Sequence, residues 1–206
     1  TEEINRSADG SPAQTFLSVK IPLRHPDGSI YALCGISTDI SEHKKNLEQI
    51  HQLAFYDPLT GLANRRTLDE RLRLEWDRAQ RSTEPLTLLM IDVDHFKAYN
   101  DHLGHPAGDA CLARLAGALA SVVRRPADLV ARYGGEEFVM LLPDTDEPGA
   151  RAMAARMLRA VDELAMPHPA SNVAAHVTVS IGVAVCRPDG HLARRTLLDQ
   201  ADAALY

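Results

Sequence analysis

The chain has 206 residues, of which 45% are hydrophobic and 24% charged, and its formal net charge is −6. That suffices to bury the core of one full domain with a fragment of another, and no run of about eighteen uncharged apolar residues offers a membrane-spanning helix. The acid excess speaks against a broad nucleic-acid surface, the polar residues 1–14 are no signal peptide, and the separated Cys34, Cys111 and Cys186 suit buried, reduced thiols in a cytoplasmic protein.

Residues 15–23 and 29–37 read as strands joined by a turn at His25-Pro26-Asp27-Gly28, where proline opens the turn and glycine permits a positive φ. Two strands are not a stable domain, so they must pair with further chain or with a second copy. A helix follows over residues 41–56, with Ser41 placed to N-cap it and Glu42 in its first turn. Leu47, Ile50 and Ala54 recur at spacings of three and four. Over two heptads this suits a short coiled coil as well as a helix packed on its own domain. Pro58 then disfavours helix at Asp57.

Beyond it, helix and strand alternate. Asn64 is an N-cap for a helix to about residue 81, and the apolar run 86–92 predicts a central strand. A short helix follows from Asp94 and a longer one over residues 107–123. Residues 129–133 and 137–142 read as strands joined through Gly134-Gly135, a hairpin signal. A helix over 147–164, a strand over 173–186 and a helix from Ala193 complete the pattern. The implied class is an α/β sandwich with a mainly antiparallel central sheet flanked by helices.

Two acids stand out. Asp92 ends the most apolar strand, where a carboxylate is costly unless paired, hydrogen-bonded or bound to a cation. Glu136 emerges from the Gly134-Gly135 turn, where a ligand can approach the backbone closely. A strand end and a hairpin tip can bring these acids together around Mg²⁺, which takes hard oxygen ligands. On spacing alone, a solvated hairpin tip and a strand-ending aspartate that caps the next helix are the commoner arrangement.

Arg132-Tyr133-Gly134-Gly135-Glu136-Glu137-Phe138 resembles the signature of the GGDEF-type diguanylate cyclases. Four further segments resemble that family in its own order. They are the stretch from Asp57 to Arg66, Ile91-Asp92-Val93-Asp94-His95-Phe96-Lys97, the stretch from Asn100 to Asp109, and Val179-Ser180-Ile181-Gly182-Val183. The likeness covers residues 57–206. In front, Thr38-Asp39-Ile40-Ser41-Glu42 is similar to the exit of a PAS sensor domain into a signalling helix. The domains expected are therefore the end of a PAS-like sensor (1–40), a connector helix (41–56) and a cyclase domain (57–206), whose family usually continues with a basic segment not present in these residues.

The resemblance implies a nucleotidyl-cyclase or palm-like fold that joins two GTP into cyclic di-GMP, using Mg²⁺ or Mn²⁺, two ions per site, across a homodimer. It makes Asp92, Glu136 and the Val93 carbonyl metal ligands. Glu137 would orient metal-bound water or help deprotonate the attacking hydroxyl, and Lys97 would meet phosphate charge. Asp94 is either an acid of the site or an N-cap. Asn100 and Asp109 would bind the guanine edge, and the backbone N–H groups of His95 and Phe96 would cradle phosphates at a helix start. Arg125-Pro126-Ala127-Asp128 stands five residues before Gly134, the family's spacing for a product-inhibition site, with Arg156 as a further arginine. Without that spacing, Arg124-Arg125 reads as a helix-ending pair that complements the helix dipole. Neither a nucleic acid nor a membrane segment is implied.

Overall fold

The computed structural model describes residues 2–5, 14–189 and 193–205, with side chains from residue 14 onward. It divides into two compact units, Thr1–Ala54 and Phe55–Tyr206.

In the first unit β1 (Glu2–Asn5), β2 (Gln14–Arg24) and β3 (Ile30–Asp39) form an antiparallel sheet in the order β1-β2-β3. The two strands expected from the sequence pair around their turn, where Gly28 takes φ +85°, and β1 adds a short outer strand. The register sets Leu17, Val19, Ile21 and Leu23 opposite Thr38, Ile36, Cys34 and Ala32. Directly opposed residues share a face, so this face is apolar, and its large side chains are exposed. Cys34 is exposed with them, contrary to the expectation of a buried thiol, because its apolar neighbours form an uncovered surface instead of a core. Cys111 is buried and Cys186 half-buried. Helix α1 (Ser41–Phe55) has no buried residue. Ser41 does not cap it. Its Oγ accepts the Thr15 N–H at 2.8 Å, and its own N–H donates to Asp39 Oδ1 at 2.9 Å, which ties the strand exit to the helix start.

The second unit runs α2 (Arg65–Ser82), β4 (Leu86–Val93), α3 (Phe96–Leu103), α4 (His105–Ser121), β5 (Leu129–Gly134), β6 (Glu137–Pro143), α5 (Glu147–Asp162), β7 (Val179–Cys186) and α6 (Arg194–Ala203). Its sheet has the order β5-β6-β4-β7 with every neighbouring pair antiparallel. The path β4-α3-α4-β5-β6-α5-β7 is a split β-α-β arrangement, in which each helical crossover returns to the same sheet. Asn64 caps α2 as expected, accepting the Thr67 N–H at 2.9 Å.

Strand β4 is buried at every residue except Asp92, which is half-buried. Both its faces are covered, so it reads as a continuous apolar run and not as an alternation. Leu89, Ile91 and Val93 belong to a core shared with Leu115 of α4 and Met157 of α5. Leu86, Leu88 and Met90 belong to a second core shared with Leu72 and Trp76 of α2 and Leu197 of α6. The strand expected over 173–186 begins only at Val179. Before it the chain forms a small separate hairpin, in which Val177 N–H donates to Met166 O at 2.8 Å and His168 N–H to Ala175 O at 2.9 Å. The hairpin's own pairing replaces the sheet's here, and Val173 stays exposed.

Gly182 of β7 lies directly beneath the end of α6, where a Cβ would fall on the Ala201 carbonyl oxygen and the Leu205 nitrogen. Both are backbone atoms and cannot rotate away. Gly182→Ala should therefore lower stability by about 1–3 kcal/mol, seen as a reduced urea midpoint with an unchanged m-value.

Candidate active site

Asp92 stands one residue before the end of β4 and pairs in register with Glu137 of β6 on one side and Ser180 of β7 on the other. Directly opposed residues lie on the same face, so Asp92 and Glu137 are brought together by the sheet itself. Glu136 joins them from the β5–β6 turn. Gly134 pairs with Glu137, which leaves Gly135 and Glu136 as the turn residues. Only Gly135 takes a positive φ, +53°, so it alone of the two glycines answers a backbone requirement.

Among the described residues no ion pair balances the charge at this corner. Burial pushes the Asp92 carboxyl up to about 6, and Glu136, Glu137 and Asp94 add to the shift in that order. Among the described residues no group of three or more metal-binding side chains gathers closely enough to hold an ion unaided. That fits Mg²⁺, which is commonly held by one or two carboxylates together with substrate phosphates. The donor set of hard oxygens, with its unbalanced negative charge, suits such an ion and disfavours a softer one.

Asp94 is not a helix cap. Its carboxylate accepts from Thr178 Oγ1 at 2.6 Å and Ser180 Oγ at 2.7 Å, and its N–H donates to Thr178 O at 3.0 Å. It fastens the β4–α3 loop to β7. The cap position of α3 falls to His95, in the left-handed region at φ 56° and ψ 29°, without a side-chain cap. The N–H groups that open α3 are thus left to an outside acceptor. Val93 and the Phe96 ring are buried, while Lys97 is exposed on the first turn.

Asn100 lies on α3 and Asp109 on α4, with Gly104, at φ +85°, between the helices. The Asn100 side chain rests against Gly108, where a Cβ would fall on Asn100 Oδ1. That oxygen is buried and has no hydrogen-bond partner, whereas Asp109 is exposed. Buried acceptors are nearly always paired, so this one marks a place where a donor edge belongs.

One residue of the signature has a role the sequence did not disclose. The Arg132 guanidinium donates to both Asp57 carboxylate oxygens at 3.1 Å, and to the Gly135 carbonyl at 3.0 and 2.8 Å. Asp57 also accepts from the Thr60 N–H and hydroxyl. Burial raises the Asp57 carboxyl, but Thr60 and Arg132 outweigh it and hold it below the usual range. Only the pairing of remote motifs in space reveals this contact.

A second cluster lies toward the other end of β6. Arg124, Arg125, Asp128 and Arg156 line a cavity of about 310 Å³ with Leu142 and Thr145. Asp128 is buried, and one of its carboxylate oxygens has no partner. Burial raises its carboxyl, against the pull of Arg125 and Arg156. Arg156 also donates to the Val122 carbonyl. The three residues that the resemblance names, Arg125, Asp128 and Arg156, thus line one concave surface.

Comparison with known proteins gives the following. The sequence model described as "Diguanylate cyclase, GGDEF domain" matches residues 54–206. Diguanylate cyclase DgcP of Pseudomonas aeruginosa is 40% identical over 168 residues, 82% of this chain and 24% of its own length. Probable diguanylate cyclase DgcC of Escherichia coli is 32% identical over 204 residues, 98% of this chain and 53% of its own length. This chain therefore spans about a quarter of one relative and about half of the other. The crystal structure of the coiled coil and GGDEF domain of DgcB from Caulobacter crescentus, in complex with c-di-GMP, superimposes with a TM-score of 0.71 at 30% identity. The match covers 81% of this chain and 86% of that one.

The Asp92 environment has a measurable consequence. An acid with a raised value in the folded state binds its proton more tightly there than when unfolded. It therefore costs stability as pH rises from the ordinary carboxylate range, and the full cost is present above about 6. Without divalent metal, Asp92→Asn should be more stable than the parent by about 1–2 kcal/mol at pH 8, with the difference vanishing near pH 4. Mg²⁺ added together with a nucleoside triphosphate should raise the melting temperature of the parent by more than that of Asp92→Asn.

Proposed function

The chain belongs to the GGDEF family of diguanylate cyclase domains, and on that footing we propose that it condenses two GTP into cyclic di-GMP and two pyrophosphates across a homodimer. The observation that carries this reading is the half-buried Asp92, paired in register with Glu137 and facing the charge of Glu136, with no ion pair to balance it among the described residues.

In this reading Asp92, Glu136 and the Val93 carbonyl hold the divalent metal, Mg²⁺ or Mn²⁺, two ions to a site. When bound, the metal favours the alkoxide form of the attacking 3′-hydroxyl and neutralises the leaving pyrophosphate. The hydroxyl oxygen forms a bond to the α-phosphorus of the other GTP while the bond to pyrophosphate breaks, and this happens twice. Glu137 takes up the hydroxyl proton directly or through a water. The His95 and Phe96 N–H groups receive phosphate oxygens, and Lys97 adds positive charge. Asn100 and Asp109 face the guanine edge, Asp109 accepting from N1–H and N2–H₂.

Each copy holds one GTP, so two sites must meet. Leu47 and Ile50 of α1 are 52% and 63% exposed, which suits pairing of that helix with a second copy. Residues 1–40 are read as the end of a PAS-like sensor whose remaining part covers the apolar face of β2 and β3. Residues 41–56 are the connector, and 57–206 the cyclase domain. No described helix is long and apolar enough to cross a membrane, and a GTP-consuming reaction suits the cytoplasm.

Arg125, Asp128 and Arg156 are proposed to bind the product. Arg125 can fork onto a phosphate or guanine O6 and N7, and the unpartnered Asp128 can accept from the opposite guanine edge. The cavity is separate from the acid cluster, so inhibition should be noncompetitive with GTP.

Glu136→Gln keeps the shape and removes the charge. It should lower product formation from GTP and Mg²⁺ by at least about a hundredfold while the protein stays folded. Near-normal turnover, followed by chromatography, would remove the metal assignment. Arg125→Ala should leave the initial rate within about twofold but weaken cyclic di-GMP binding by about tenfold or more. Titration calorimetry and progress curves of linear product accumulation check it. Equal affinity and equal inhibition would make the cavity ordinary surface.

A further inference from the structure

His168 is 1% exposed, although it sits on the small hairpin between α5 and β7 and not within the sheet. Its backbone is fixed there. Its N–H donates to Ala175 O at 2.9 Å, its carbonyl accepts from Ser171 N–H at 3.2 Å, and Pro167 bridges to His176. The ring points under the β4–α3 loop. Nε2 lies 3.3 Å from the His95 carbonyl oxygen, and the ring meets that of Tyr99 edge-on at 5.1 Å and 87°. A carbonyl can only accept, so Nε2 carries the proton. Nδ1 is buried without a partner among the described residues.

The residue that receives this bond is the strained one. A β-carbon in the left-handed region is disfavoured, and such a conformation persists only where the surroundings hold it. His95 has no side-chain cap to help. Its carbonyl accepts two hydrogen bonds, one from Tyr99 N–H at 3.1 Å and one from His168. The same imidazole therefore touches the loop at His95 and the first turn of α3 at Tyr99. Asp94, fastened by Thr178 and Ser180, holds the other side of the loop.

We infer that His168 is a positioning residue for triphosphate binding. It holds His95 in the left-handed conformation that turns the N–H groups at the start of α3 outward. The inference rests on the reading of that loop as the phosphate cradle. His168 touches no substrate and acts only through His95. The hairpin thereby becomes part of the substrate site, although it contributes no group that contacts GTP.

The test compares His168→Gln, whose amide nitrogen can replace Nε2 as donor, with His168→Met, of similar length and without a donor. His168→Phe keeps the ring and also lacks the donor. Titration calorimetry with Mg²⁺ measures binding of guanosine 5′-[α,β-methylene]triphosphate and, separately, of guanosine. The Met and Phe variants should lose about tenfold in triphosphate affinity and keep guanosine affinity, while Gln stays within about twofold of the parent on both. Parental triphosphate affinity in a folded Met or Phe variant overturns the inference. So does an equal loss on both ligands that Gln does not rescue, since that is general loosening of the fold. If the unsubstituted protein binds guanosine as tightly as the triphosphate, the cradle reading fails first and takes the inference with it.

Discussion

The active-site corner depends on a single guanidinium. Arg132 spans from Asp57, near the start of the second unit, to the carbonyl of Gly135 in the hairpin turn. Its planar fork addresses two carboxylate oxygens on one side and a backbone oxygen on the other, a geometry an ammonium cannot reproduce. Both partners are largely shielded, with side chains 16% and 18% exposed. In such surroundings, losing either member leaves the other charge badly solvated. The turn it braces is the one that presents Glu136. Without the brace, a two-residue turn next to a bulge at Arg132 and Gly134 would aim that acid less narrowly.

Around that brace the corner is built from things left unsatisfied. Asp92 is pressed against like charges, the Asn100 oxygen is buried without a donor, and His95 is held in a conformation its side chain disfavours. Each costs free energy, and under the proposed function each would be relieved by a bound group: a cation, a base edge, a phosphate. The expense is tolerated because the supports are rigid. Strand β4 is flanked by paired strands, Gly108 admits Asn100 only because it lacks a side chain, and Asp94 is gripped by two hydroxyls.

Much of this was legible in the sequence where the signal was local. The apolar run of β4, the cap at Asn64 and the glycine turn before Glu136 each follow from a few adjacent residues, and the structure bears them out. What was not legible depended on contacts remote in the chain. Asp94 looks like a cap until Thr178 and Ser180 come alongside it, and Asp57 looks like a turn residue until Arg132 reaches it. Cys34 lies in apolar company whether or not anything covers that company, so its exposure could not be read from its neighbours. The second arm of the hairpin, residues 173–177, reads as part of the following strand because Val173 and Val177 share the strand's composition. Only one of them, Val177, is buried. His168 was passed over entirely, since a lone histidine beside prolines carries no pattern.

The placement of β7 also bears on how the chain reaches this state. β4 is an inner strand, yet one of its two neighbours is made a hundred residues later, with Leu86 paired to Cys186. During synthesis β4 and β6 can zip together first, while one long, apolar edge of β4 waits with its backbone groups unpaired. Closing a loop of that length is entropically slow, and a bare edge of this kind is what intermolecular pairing exploits. The hydroxyls that grip Asp94 and the hairpin that carries His168 arrive with that last strand. The corner that holds Asp92 and Asp94 is therefore among the final parts of the protein to become ordered, so a nascent chain acquires most of its core before the proposed site exists.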